Sequence, residues 1–308
     1  MIVALARELV LGSRRGAPYA LLLANGILMA GVAAALNAVV GTVSPWVAPS
    51  IGATPSSTPS GVGPMLVAWR GPALFILLCA WLTIMGTIFA PVIGARAIGA
   101  DRRTGALDDL IGSGTRVESL VAAKLLAVAL QSAMIVASGL PAFALVWLLG
   151  GVAATTAVSA ALVIASWLLL LGALGLVSSS FSRGDVAPAA AGGVIGATLL
   201  IAPIVTYLLF MLTDRTGGGF IVALSPLAAI LAANPEFADA LGKVAPIATS
   251  LPVRVTISLP GAVVGGPLPL VSAGFYVLLS IALVPVVALT LDPMHRLKTI
   301  RLRYRPAD

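Results

Sequence analysis

Six apolar runs, each long enough to cross a lipid bilayer, constrain this chain more than anything else in it. They are Ala17–Val40, Gly71–Gly94, Leu120–Leu149, Ala154–Ser180, Val186–Thr213 and Leu268–Leu291. A helix rises ~1.5 Å per residue, so about 20 apolar residues span the hydrocarbon layer. No Asp, Glu or Arg interrupts any run, and Lys124, near the start of the third, is their only lysine. Charged residues make up 9% of the chain, against about 25% in a soluble domain. Such a chain has to place most of its surface against lipid. The expected fold is an all-α integral membrane protein, residues 1–308 forming one bundle of six transmembrane helices. The first run is read as an anchor and not a cleaved leader, because it is longer than a signal core and follows Arg7, Arg14 and Arg15.

Basic residues set the orientation. With the N-terminus inside, the inner segments hold Arg7, Arg14, Arg15, Arg96, Arg102, Arg103, Arg116, Lys124, Arg183, Arg296, Lys298, Arg301, Arg303 and Arg305, which is 14 of the 18. The outer segments hold only Arg70, Arg215, Lys243 and Arg254. Both termini are therefore expected in the cytoplasm. The formal charge of +7 is accounted for by anionic headgroups, without nucleic acid. Phe220–Asn234 is apolar but short and holds Pro226; a seventh span would send the basic tail 292–308 outside. It is read as re-entrant or interfacial. Within the outer segment 214–267, Ser225-Pro226 and Asn234-Pro235 each pair an N-cap residue with proline at the first helical position. They predict short outer helices over Pro226–Ala233 and Pro235–Leu241, serving either as a gate or as an interfacial cap.

Several chemistries are excluded or disfavoured. The lone Cys79 has no partner for a disulfide, and the lone His295 cannot build a metal site. No P-loop occurs; Gly242-Lys243 is followed by Val244. Gly112-Ser113-Gly114 superficially resembles a serine-hydrolase motif, but no histidine lies within a span to act as base. The spans lack the carboxylates that ion-driven carriers use.

Small residues recur at helical spacing. Gly26, Ala30 and Ala34 share a face of the first span, and Gly192 and Gly196 form a GxxxG in the fifth. Packing within one bundle is preferred over a subunit interface. Pro141, Pro203 and Pro285 are expected to kink spans three, five and six. Trp46, Trp69 and Trp147 fit an outer aromatic belt, while Trp81 and Trp167 fit core packing.

The densest internal charge cluster lies between spans two and three, over Arg96–Lys124. The second helix is expected to continue past the membrane through Ala95–Ala100, with Asp101, Arg102 and Arg103 solvated. A short helix then fits Thr104–Ile111, capped by Thr104 and stopped by Gly112. Its polar side carries Asp108 and Asp109, and its apolar side Leu107, Leu110 and Ile111. Thr115 and Glu118 match a capping box that starts the third helix at Arg116. A short helix with these two sides suits a groove on a partner, or else forms a solvated hairpin.

These residues resemble the cytoplasmic signature of type-2 ATP-binding-cassette (ABC) exporter permeases. The resemblance lies in Asp101-Arg102-Arg103, Thr104-Gly105-Ala106-Leu107-Asp108, Leu110, Gly114-Thr115-Arg116 and Lys124. Ala6-Arg7-Glu8-Leu9 with Arg14-Arg15 resembles that family's N-terminal amphipathic elbow helix. The chain differs from the usual pattern at Ala106, where threonine is usual, and at Gly114, where proline is usual. The resemblance implies that Arg102, Arg103, Thr104, Gly105, Leu107, Asp108, Asp109 and Leu110 form a coupling helix docked on a separate ABC ATPase subunit. It implies an elbow interface at Arg7, Glu8, Arg14 and Arg15, a second permease chain, identical or paralogous, and a multi-pass location in the cell membrane of a prokaryote. ATP and Mg would sit on the partner, with no cofactor in this chain. The substrate would be hydrophobic or amphipathic: a drug, lipid or peptide. Other classes remain: a secondary carrier for an uncharged substrate, using Asn25, Asn37 and Gln131, or a membrane anchor or sensor whose loop binds a signalling partner.

Overall fold

The computed structural model describes residues 24–32, 34, 35, 38, 62–112, 116–149, 152–181, 186–212, 224–234, 254–259 and 262–291. The predicted elbow helix with Arg7, Glu8, Arg14 and Arg15, the second outer helix Pro235–Leu241 and the basic tail lie outside these residues.

The described chain is almost wholly helical. Helix α1 covers residues 24–32. There follow α2 (Val62–Arg103), α3 (Ala106–Gly112), α4 (Val117–Ser138), α5 (Leu140–Leu149), α6 (Ala154–Phe181), α7 (Val186–Leu212), α8 (Pro226–Ala232) and α9 (Leu268–Leu291). Among the described residues, five segments are long and apolar enough to cross a bilayer: Gly71–Arg103, Val117–Leu148, Ala154–Phe181, Ala187–Thr206 and Leu268–Leu291. They match the second to sixth predicted runs. The chain is a multi-pass membrane protein. Helix is the form these runs must take, because lipid offers no partner for a backbone N–H or C=O. Hydroxyls inside the spans also bond locally: Thr83 donates to the Cys79 carbonyl, Thr87 to Thr83, Ser166 to Val163 and Ser280 to Tyr276.

Helix α6 is the centre of the bundle. It packs on α2, α4, α7, α8 and α9. Of the apolar stretch of α6 67% is buried, against 22% in α7 and in α9. Trp167 of α6 is fully buried and meets Tyr276 of α9 edge-on, with ring centroids 5.3 Å apart. The α2–α6 contact is made backbone to backbone. A β-carbon on Gly94 would lie 2.0 Å from the Gly172 carbonyl oxygen, and one on Gly175 would lie 2.3 Å from that of Pro91. Glycine alone permits this approach. The predicted GxxxG also serves packing inside the bundle: Gly192 faces Pro91 and Gly175, and Gly196 faces Leu171 and Thr87.

Three boundaries differ from expectation. Helix α2 begins at Val62, nine residues before the predicted run, and contains Pro72 and Pro91. The third span is two helices, broken at Gly139, two residues before Pro141. A proline ring two residues on denies that turn its backbone donor, so the kink becomes a break. Among the described residues, the departure from helix is an antiparallel hairpin, β1 (Arg254–Leu259) with β2 (Ala262–Pro267), pairing Arg254 with Pro267 through Leu259 with Ala262. It runs directly into α9. The sequence carries a strand signal here: Val255, Thr256, Ile257 and Val263, Val264 are β-branched and flank Pro260-Gly261.

Helix α8 forms where Ser225-Pro226 predicts it. Ser225 has the extended backbone of an N-cap, yet its hydroxyl makes no capping bond and is buried without a partner. Ala229 and Ile230 are buried in the main core, and α8 packs on α2, α6 and α9. It is a plug seated in the end of the bundle and not a helix lying over it.

Candidate functional site

The charged corner between α2 and α4 is built around α3. Helix α2 runs past the apolar zone, as expected, and ends at Arg103. Thr104 closes it: its N–H donates to the Ala100 carbonyl at 3.2 Å, and its hydroxyl reaches the carbonyls of Ala100 and Asp101. Gly105 then takes φ +73°, the left-handed turn that glycine adopts after a helix. Thr104 was expected to cap the short helix. It instead terminates the preceding one, and α3 starts two residues later, at Ala106. Gly112 is the last described residue of α3. At the far side Arg116 is the N-cap of α4, extended at ψ 128° and with no side-chain bond. The helix thus begins at Val117, one residue beyond the position the predicted capping box requires; Thr115 lies outside the described residues, and Glu118 is exposed.

The charges at this corner are not solvated as expected. Asp101 is buried, and its carboxylate accepts from Lys124 Nζ at 2.6 Å, where Lys124 is 1% exposed. The same ammonium donates to the Ala97 carbonyl, one turn back along α2. Arg102 is half-buried, and its guanidinium donates to the carbonyls of Ser179 and Ser180 at 3.1 and 3.3 Å. Those carbonyls end α6, where helical oxygens lack intrahelical donors and the dipole is negative. A guanidinium there satisfies two of them at once. Arg103 and Thr104 are exposed. The linear sequence hides this arrangement because each partner comes from another helix.

The apolar side of α3 is also occupied. Leu107 is 5% exposed and joins a core cluster with Ile98, Leu120, Val121, Leu176, Val287 and Leu291, against which Leu110 and Ile111 pack. The sequence offered this side to a partner's groove; the bundle's own base uses it. Asp109 is exposed, and the backbone of Asp108 lies within α3. The predicted coupling residues therefore divide. Arg102, Leu107 and Leu110 engage the bundle, as does the neighbouring Asp101, while Arg103, Thr104 and Asp109 form the outward surface.

Deeper in the bundle, polar groups are sparse. Trp167 Nε1–H donates to Thr87 Oγ1 at 3.1 Å, and the Thr87 hydroxyl donates in turn to the Thr83 carbonyl. Asn25 donates to Ser138 Oγ at 2.8 Å and Gln131 is half-buried, so Asn25 ties α1 to the break in the third span. Asn37 lies outside the described residues. Thr87→Val removes the acceptor of a fully buried indole while keeping the side-chain volume. Leaving a buried donor unmet costs about 1–3 kcal/mol. The variant is expected to unfold several degrees below the wild type in a detergent melt, with Trp167→Phe on top of it adding less than it does alone.

Among the described residues no three or more His, Cys, Asp or Glu side chains gather as a metal centre would need. No protein-family model matches the chain, and no curated protein matches it.

Proposed function

We propose that the chain is the membrane-spanning permease subunit of a type-2 ABC exporter. Its α3 docks on a separate ATPase subunit that holds ATP and Mg, and two such chains, identical or paralogous, line the route. The carrying observation is the corner: two span helices prolonged beyond the apolar zone and joined by a short helix whose apolar side faces its own bundle while Asp109 faces out. Such a helix presents polar side chains on a rigid base, which suits contact with a soluble partner. The bias of basic residues supports six spans with both termini cytoplasmic, and residues 1–15 as an elbow in the inner interface. The cell membrane of a prokaryote is the corresponding location. The six apolar runs hold no Asp, Glu or Arg, and their one lysine is paired with Asp101 at the corner, which favours a hydrophobic or amphipathic substrate (a drug, lipid or peptide) and disfavours ion-gradient coupling.

The test is purification of the tagged chain from its native membranes in mild detergent. An ABC ATPase is expected to co-elute and hydrolyse ATP. Asp108→Arg with Asp109→Arg is expected to weaken that association about a hundredfold, since placing like charges across an interface costs several kcal/mol. The double variant still inserts and melts as the wild type does. Co-elution of ATPase at wild-type yield with the double variant would remove α3 as the docking element.

A further inference from the structure

We propose that Lys124 and Arg102 are positioning residues that make the α2–α3 corner a rigid lever, so that any displacement of α3 reaches α2, α4 and α6 together. The inference deepens the exporter reading and rests on it only for the source of the push.

Three anchors converge on the corner from three different helices. Lys124 of α4 holds Asp101 and the Ala97 carbonyl of α2. Arg102 of α2 holds the carbonyls of Ser179 and Ser180 at the end of α6 through Nη1 and Nη2. Leu107 of α3 is inserted among side chains of α2, α4, α6 and α9. The first two tie the end of α2 to α4 and to α6, and the third seats α3 on that joined base. The ion pair is also cut off from water, so neither solvent nor salt relaxes it as they relax a surface pair. A surface pair would slip under load. Buried ion pairs seldom add stability over apolar residues of the same shape, and fixing one arrangement is their better-attested use. Compliance lies instead at the opposite end of α4, where the third span breaks at Gly139. Motion entering at α3 is thus carried through the base before any element can bend.

The experiment places spin labels at Asp109 and Phe181, both exposed, in a Cys79→Ala background, and measures the distance distribution by pulsed electron resonance. A second pair, at Phe181 and Leu148, reports the bundle itself when ATP and vanadate are added to the copurified complex. Lys124→Met with Asp101→Asn removes both charges together, which keeps the fold. It is expected to broaden the Asp109–Phe181 distribution roughly twofold and to abolish the ATP-dependent shift of the second pair, because coupling of this kind is lost once the shared element has no fixed arrangement. Asp101→Lys with Lys124→Asp is expected to restore a narrow distribution, and Arg102→Lys in the wild-type chain to broaden it in part, since lysine cannot span two carbonyls. An unchanged narrow distribution in the neutral pair overturns the lever. A broadened distribution in a chain that never copurifies with an ATPase keeps the lever and removes the exporter reading.

Discussion

Gly94→Ala is expected to accumulate poorly and to melt roughly 10 °C below the wild type, while Gly193→Ala melts as the wild type does or slightly higher. The two substitutions are chemically identical and both fall within helices, so propensity alone would favour alanine at each by about 1 kcal/mol. Their surroundings decide the sign. A methyl on Gly94 meets the Gly172 oxygen at 2.0 Å, its carbonyl carbon at 2.9 Å and the Leu176 nitrogen at 3.1 Å, whereas one on Gly193 meets nothing within 4 Å. Overpacking costs about 1–3 kcal/mol where side chains can rotate away. Here the obstacle is main chain of the central helix, so α2 and α6 have to separate along their length, and the cost falls at the upper end. At about 2–4 °C per kcal/mol this gives the expected shift. Gly175→Ala, facing the Pro91 oxygen at 2.3 Å, is expected to behave like Gly94→Ala. A scanning-fluorimetry series of Gly31→Ala, Gly193→Ala and Gly274→Ala against Gly94→Ala and Gly175→Ala checks the pattern. Equal melting points across the five variants would mean that the bundle is not closed on these glycines.

The same glycines mark where sequence reasoning stops. Gly192 and Gly196 stand out because they lie four positions apart on one helix. Gly94, Gly172 and Gly175 do not form that pattern; they matter because two different helices bring them together. The spans themselves are legible, since an unbroken apolar run in lipid has one backbone solution. So is α8, because serine before proline is a local start signal that needs no tertiary knowledge. The break in the third span is legible in part: Pro141 announces a distortion, but its size depends on Gly139 and on the contact from Asn25. The hairpin before α9 carried a period-two signal that the surrounding apolar sequence obscured. At the corner the two helices are legible but their boundary is not: Thr104, which reads as the cap of α3, closes α2, and the turn falls on Gly105. The roles of the charges are not, because Asp101 and Lys124 are 23 residues apart and only the crossing of α2 with α4 puts them in contact. A polar residue beside a membrane run is solvated by default, and that default fails wherever a second helix supplies its partner.

That failure carries the second large effect. Lys124→Met is expected to lower the melting point by roughly 10 °C, and adding Asp101→Asn is expected to recover most of the loss. Methionine has nearly the shape of the lysine stem, so packing around position 124 is kept and the change is electrostatic. Removing one member of a buried ion pair costs about 3–5 kcal/mol, because the remaining charge keeps its desolvation penalty without its counter-ion. This is a large part of a total stability of about 5–15 kcal/mol. The order of the variants separates this cause from simple loss of contacts. If Lys124 served only to fill space, the double variant would be no more stable than the single one, since two residues would then be altered in place of one. If the carboxylate of Asp101 is the source of the cost, neutralising it removes the penalty, and the double variant lies above Lys124→Met. Asp101→Asn alone falls between them, because the Lys124 ammonium retains the Ala97 carbonyl and gains an amide oxygen in place of the carboxylate. Melting curves of the four proteins in one detergent give the coupling energy directly as a double-mutant cycle. A coupling near zero would show that the two charges do not act as a pair, and the corner would then be held by Arg102 and Leu107 alone.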